Sequence, residues 1–192
     1  MEGYHGTTQK NFNSLVTLKK VDIPEFKIGG DFVIPKGQRL PNDLGIGFYL
    51  FLSDTNLGFK GENNAKRYAD KYKENSKILK VHVKDDIKIL NLNTIQNRSL
   101  FNKLRERIFG KLFYQYKVSI NNDGAKNRAN LDGIFLEILI KYKLKDEIDG
   151  VICDSYTPFY NENNQLSNIP NGRELCLRNP ESIIWDKCEE VL

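Results

Sequence analysis

The order of strand-like and helix-like runs constrains this chain most. Short apolar or alternating runs that read as strands crowd its two ends, at 2–7, 45–52, 78–83, 87–92, 151–153 and 174–177. The longest helical periodicities, at 98–117 and 131–143, fall between them. A doubly wound domain would alternate strand and helix along its length. Helices set between strand-rich ends instead predict an α+β fold with a largely antiparallel sheet. With 192 residues, the prior is a single domain over 1–192, carrying a helical insertion at about 98–147. Neither a P-loop nor a dinucleotide glycine fingerprint is present.

Composition removes several classes. A hydrophobic content of 40% with 28% charged residues is that of a water-soluble domain, and no apolar run is long enough to span a bilayer. No signal-like segment stands before the first strand, so the expected location is cytoplasmic, away from membranes. The 3 cysteines lack metal-site spacing and the 2 histidines, His5 and His82, are far apart, so no metal is expected. Cys153 and Cys176 lie inside apolar runs, where cysteine acts as a small hydrophobe.

Charge is unevenly placed. Residues 98–145 hold 11 basic and 4 acidic side chains, a balance of +7, whereas 146–192 hold 3 and 10, a balance of −7. In the helix over 98–117, Leu100, Leu104, Ile108 and Leu112 recur every four residues beside a stripe of Lys103, Arg107 and Lys111. Such a face suits an anionic partner such as RNA or DNA. It also suits plain solvation.

Other elements follow from local signals. Thr7, Thr8 and Asn11 can each cap a helix that starts after the first strand. Residues 22–45 read as an irregular segment, broken by glycine and proline. Ala65, Tyr68, Ala69 and Tyr72 give helical spacing over 62–72. Leu131, Ile134, Phe135, Ile138 and Tyr142 give the second long helix its buried side, and Asn121-Asn122-Asp123-Gly124 reads as a turn. A polar loop over 155–172 carries Tyr156, Phe159 and Tyr160, which can stack on a base or pin the loop to the body. Residues 181–185 read as a last extended segment.

Three stretches carry chemistry. Near the start stands Tyr4-His5-Gly6-Thr7, with Gly6 leaving backbone groups open to a flat ligand. Next comes Gly45-Ile46-Gly47-Phe48-Tyr49, followed by Ala65-Lys66-Arg67-Tyr68-Ala69. Near the end, Arg173-Glu174-Leu175 places a carboxylate on a strand, on the face away from Leu175 and Leu177. In order and spacing these stretches resemble the ADP-ribosyltransferase superfamily, in its histidine–tyrosine–glutamate branch of diphtheria toxin-like and poly-ADP-ribose polymerase-like enzymes. The resemblance spans nearly the whole chain apart from 93–147.

That resemblance implies a split, ADP-ribosyltransferase-like sheet and a catalytic set of Glu174, Tyr49 and His5. It implies NAD as co-substrate, bound by His5, Gly6, Thr7, Tyr49 and Tyr68. His5 would hold the adenosine-side ribose, the Gly6 backbone the nicotinamide amide, and the two tyrosines the nicotinamide ring. A stacked aromatic pair adds about 0.5–1.5 kcal/mol beyond its buried area. Glu174 would stabilise the positive charge that develops on the ribose as nicotinamide leaves, much as in glycoside cleavage. Gly172 stands where arginine-modifying members carry an acidic residue, so arginine is a disfavoured target.

The expected function is transfer of ADP-ribose from NAD to a macromolecule, nucleic acid ahead of protein, by a toxin-like enzyme. Stand-alone relatives of this kind include toxin–antitoxin and phage-defence effectors, which implies a possible neutralising antitoxin. The alternatives are an NAD glycohydrolase and a non-catalytic module that binds ADP-ribose or NAD.

Overall fold

The computed structural model describes the chain except for residues 30–31, 36, 73, 121–129, 146, 160–166 and 192. The turn expected at 121–124 and Tyr160 lie outside the described residues. Seven strands, β1 (Glu2–Thr8), β2 (Phe48–Leu52), β3 (Ser76–His82), β4 (Ile89–Asn91), β5 (Gly150–Ser155), β6 (Gly172–Leu177) and β7 (Glu189–Val191), form one open sheet in the order β4-β5-β6-β2-β1-β3-β7. All pairs are antiparallel except β4 with β5. That exception has a physical cause: parallel neighbours need a long crossover, and two helices intervene here. The chain is therefore α+β with a mostly antiparallel sheet.

The sheet is narrowest at its middle. β1 and β2 share the single register pair Tyr4 and Phe51, whereas seven pairs join β1 to β3 and five join β2 to β6. It is one sheet, drawn in at this junction, rather than two.

Four helices flank it: α1 (Gln9–Leu18), α2 (Gly61–Tyr72), α3 (Ile95–Ile120) and α4 (Asn130–Lys143). Of the three candidate caps for α1, Thr8 serves, its side chain accepting the N–H of Asn11. Strand alternation then sorts the core. On one face Phe48, Leu50, Leu52, Leu79, Val81, Leu175 and Leu177 pack with Phe12 of α1 and with Ile183. The other face is covered in two parts. Leu90, Val151 and Cys176 lie against Ile108 and Leu112 of α3 and Ile134, Phe135 and Ile138 of α4. Phe51 and Ile78 lie against Ala65 of α2 and Phe159, with Tyr4 and Tyr68 packed alongside.

Three local expectations are corrected. Helix α3, expected over 98–117, is longer at both ends, running Ile95–Ile120. Its buried row is Phe101, Ile108 and Leu112, while Leu100 is exposed. A strict four-residue repeat drifts by about 40° per step around a 3.6-residue helix, so the row walks off the buried face. Tyr142, expected on the buried side of α4, is 49% exposed, because the last turn emerges from the core beyond Ile140. Of residues 181–185, Ile183 is extended and bridges Val83, but short 3₁₀ turns occupy Pro180–Ser182 and Trp185–Lys187 on either side. The first is capped by Asn179, with proline at its first position. Strand β7 gave no apolar signal, because Glu189 and Glu190 sit on a sheet edge, paired to Lys80 and Lys77.

Gly6 explains how α2 seats on the sheet. A Cβ there would fall 2.2 Å from the carbonyl oxygen of Ala65 and 3.0 Å from the Cβ of Ala69. The side of Gly6 that a Cβ would occupy is thus filled by helix backbone. Gly6→Ala is expected to destabilise the fold by about 1–3 kcal/mol, as overpacking does when a backbone must move. A thermal melt checks this; an unchanged midpoint would mean that α2 is not held this closely. Among the described residues no helix is long and apolar enough to cross a membrane.

Candidate active site

Glu174 is the most constrained polar residue on the sheet face shared by α2, α3 and α4. It is only 5% exposed, in mid-strand, directly between Phe51 of β2 and Cys153 of β5. Two hydroxyls converge on one of its oxygens: Ser155 Oγ donates at 2.5 Å and Thr157 Oγ1 at 2.9 Å. The partners are themselves fixed. Asn171 accepts the Thr157 N–H and donates to its carbonyl, both at 2.9 Å. Asn64 of α2 donates in turn to the Asn171 carbonyl at 3.0 Å. Lys71 of α2 reaches the carbonyl of Pro158, and the Phe159 ring lies 6.0 Å from that of Phe51. Phe159 therefore pins the start of the 155–172 loop to the body. An oriented, buried carboxylate of this kind is a preorganised stabiliser of positive charge.

Tyr49 lies on the same face, one row along, opposite Cys176. Its hydroxyl accepts the N–H of Leu44 at 3.0 Å and donates to the carbonyl of Gly45 at 2.9 Å. Burial, and then the thiol of Cys176 and the carboxylate of Asp43, push its ionisation well above the ordinary tyrosine value. Tyr49 thus stays a neutral hydrogen-bond donor through the physiological range. Tyr68 of α2 packs on this face too, its ring 6.0 Å from that of Phe51, the strand neighbour of Glu174. Tyr49 packs with the α3–α4 core and Tyr68 with the α2 core, so the two rings belong to separate apolar clusters of the same face.

His5 differs. Alternation along β1 puts it opposite Leu79, on the α1 face, with its ring 4.3 Å from that of Phe48. It reaches the group through the backbone: its Nδ1 lies 2.9 Å from the carbonyl oxygen of Tyr49. A carbonyl can only accept, so this bond assigns the proton to Nδ1. His5 thereby ties β1 to β2 where their ladder is reduced to one pair. Thr7, one residue on, is buried. Glu174, Tyr49 and Tyr68 thus share a face and Gly6 lies beneath α2, whereas the His5 ring is on the opposite face and meets Tyr49 at its backbone carbonyl.

The site holds other chemistry that can be set aside. Burial raises the thiol of Cys153 to about 11, against the lowering effect of Arg98, and burial raises that of Cys176 further. Neither is a thiolate nucleophile near neutral pH. No group of three or more metal-ligating side chains occurs among the described residues.

Ser155, Thr157, Asp43, Glu137 and Arg178 were not singled out from the sequence. Glu137 had a readable signal, a lone carboxylate inside the apolar run Ile134-Phe135-Leu136-Glu137-Ile138-Leu139. Its Oε1 accepts the N–H of Ile46 at 2.6 Å, and Arg178 grips both its oxygens. Asp43, in the turn closed by the Gly45 N–H on the Asn42 carbonyl, holds the one buried side-chain oxygen among the described residues that lacks a hydrogen-bond partner. Comparison with family models, curated proteins and solved structures found no match to this chain.

Proposed function

We propose that this protein is an NAD-dependent ADP-ribosyltransferase of the histidine–tyrosine–glutamate kind, acting on a macromolecule. The observation that carries the reading is the buried carboxylate of Glu174, gripped by Ser155 and Thr157 beside Phe51, on the sheet face that also bears Tyr49 and receives Tyr68 of α2. In this reading the bond between ribose C1′ and the nicotinamide nitrogen breaks, and its electron pair leaves with nicotinamide. Glu174 stabilises the cationic ribose. A nucleophile on the target then bonds to C1′, and its proton passes to the Glu174 carboxylate. The narrowed β1–β2 junction is compatible with an ADP-ribosyltransferase-like sheet, and on this reading NAD lies across that junction, meeting Gly6 through its backbone and His5 and Thr7 from the β1 side.

Nucleic acid is the favoured target. Arg98, Lys103, Arg107 and Lys111 are all exposed on α3, and Arg98 is near enough to Cys153 to influence its thiol. The basic face thus begins beside the Glu174 row. A macromolecule modified inside the cell implies, for the toxin-like reading, a neutralising partner.

The test is incubation with NAD labelled in its adenylate half, with and without total RNA, DNA or protein, while released nicotinamide is measured. Label retained on nuclease-sensitive material is the expected result. Nicotinamide release with free ADP-ribose as the sole labelled product would make the enzyme a glycohydrolase. Binding of NAD without release would make the domain a sensor. Nucleic-acid affinity should also fall with salt, log K against log salt having a slope of about −0.7 to −0.9 per phosphate engaged. A flat profile would remove the basic face of α3 from the target site.

A further inference from the structure

Glu137 and Arg178 lie outside the candidate catalytic set, on α4 and just past β6, yet together they hold both backbone groups of Ile46. Glu137 takes the Ile46 N–H at 2.6 Å, and Arg178 Nη1 lies 3.4 Å from the Ile46 carbonyl oxygen. The two side chains are locked to each other by a two-pronged bond, with Nη2 to Oε2 at 2.9 Å. One residue earlier, the Gly45 carbonyl accepts the hydroxyl of Tyr49, and Leu44 donates its N–H to that same hydroxyl. The short backbone of residues 44–46 therefore links the ion pair, bonded to Ile46, to the Tyr49 hydroxyl, bonded to Leu44 and Gly45.

The chain has little slack. Gly45 has φ +95°, a left-handed conformation that side chains rarely adopt, and a Cβ on it would lie 2.6 Å from Glu137 Oε1. Ile46 itself is 8% exposed and belongs to the α3–α4 core, but that packing is incomplete. A cavity of about 490 Å³ opens there, lined by Ile46, Glu137 and Arg178 against Phe26 and Ile28. Charge-assisted bonds are short and directional, so a buried pair can hold a backbone position that loosely packed apolar groups would leave free.

We infer that the Glu137–Arg178 pair is a positioning device for the donor site, fixing Ile46 so that the 44–45 turn holds the Tyr49 hydroxyl, and with it the ring, in one place. The functional half of this inference rests on the NAD reading of the site. The mechanical half does not.

The experiment compares wild type with Glu137→Leu/Arg178→Met and with Glu137→Gln. The double variant replaces the pair by apolar groups, a change that buried pairs often tolerate in stability. Glu137→Gln keeps an acceptor for the Ile46 N–H. The first readout is hydrogen exchange of the Leu44 amide in ligand-free protein, because that amide bonds Tyr49 and not the pair. Exchange at least about tenfold faster in the double variant is expected, as local opening becomes easier. The second readout is nicotinamide release against NAD concentration, where kcat/KM per folded molecule should fall about tenfold or more through misplacement. Glu137→Gln should retain most of both.

Unchanged Leu44 exchange in the double variant would overturn the inference outright. Faster exchange with undiminished kcat/KM would also overturn it, making the pair merely structural. Wild type that releases no nicotinamide while Leu44 exchange responds would sink the NAD reading and the functional half with it. The coupling to Tyr49 would then stand on exchange alone.

Discussion

Glu174→Gln is expected to leave the fold standing and to cut nicotinamide release by about 10²–10³-fold, the usual cost of losing one preorganised electrostatic group. The substitution is nearly isosteric, and an amide oxygen can still accept from Ser155 and Thr157, which donate to Glu174 Oε1 at 2.5 and 2.9 Å. Packing against Phe51 and Cys153 is kept. What goes is the negative charge, which matters only as the glycosidic bond breaks and the ribose turns cationic. The loss should therefore fall on kcat, with NAD affinity changed much less. A melt and an NAD titration on the same sample supply the controls. Ser155→Ala with Thr157→Val should give a smaller loss in kcat, because the carboxylate remains but its orientation is no longer imposed. Near wild-type turnover in folded Glu174→Gln would remove Glu174 from the chemistry and the transferase reading with it.

Much of this arrangement was legible before any coordinates. Alternation along 174–177 placed Glu174 and Cys176 on the face away from Leu175 and Leu177, because period-two burial leaves no other choice on a covered strand. The alanines of α2 face Gly6 of β1, a seat that helical spacing alone does not reveal. Other features depended on pairings between distant segments. Nothing in the local sequence shows that β1 and β2 meet through one register pair, since register is fixed by which strands become neighbours. His5 accordingly lies on the α1 face and reaches Tyr49 only through a backbone carbonyl. Ser155 and Thr157 looked like ordinary loop residues. Their role follows from the β5–β6 pairing, which sets Ser155 opposite Gly172, two residues from the carboxylate. The orphan oxygen of Asp43 had no sequence signal at all, because a missing partner is a property of the packed state.

Arg178→Met is expected to be the most destabilising single substitution considered, costing about 3–5 kcal/mol. The side chains of Arg178 and Glu137 are 17% and 8% exposed, so neither charge has ready access to water. Removing the guanidinium leaves Glu137 in the α4 core with the Ile46 N–H as its one remaining donor among the described residues. The price of desolvating the carboxylate is then no longer offset. For a domain of this size about 1 kcal/mol moves the melting midpoint by about 2–4 °C, so a fall of about 6–20 °C should be seen. Two comparisons isolate the cause. Breaking the exposed Lys19–Asp186 pair, with side chains 57% and 86% accessible, should leave the melt unchanged, since screened surface pairs add little. Adding Glu137→Leu to Arg178→Met should restore much of the lost stability, because it removes the stranded charge as well as its partner. If the single variant melts no lower than the double, the buried carboxylate is not what the arginine neutralises. The rigidity of the 44–46 turn would then need another source.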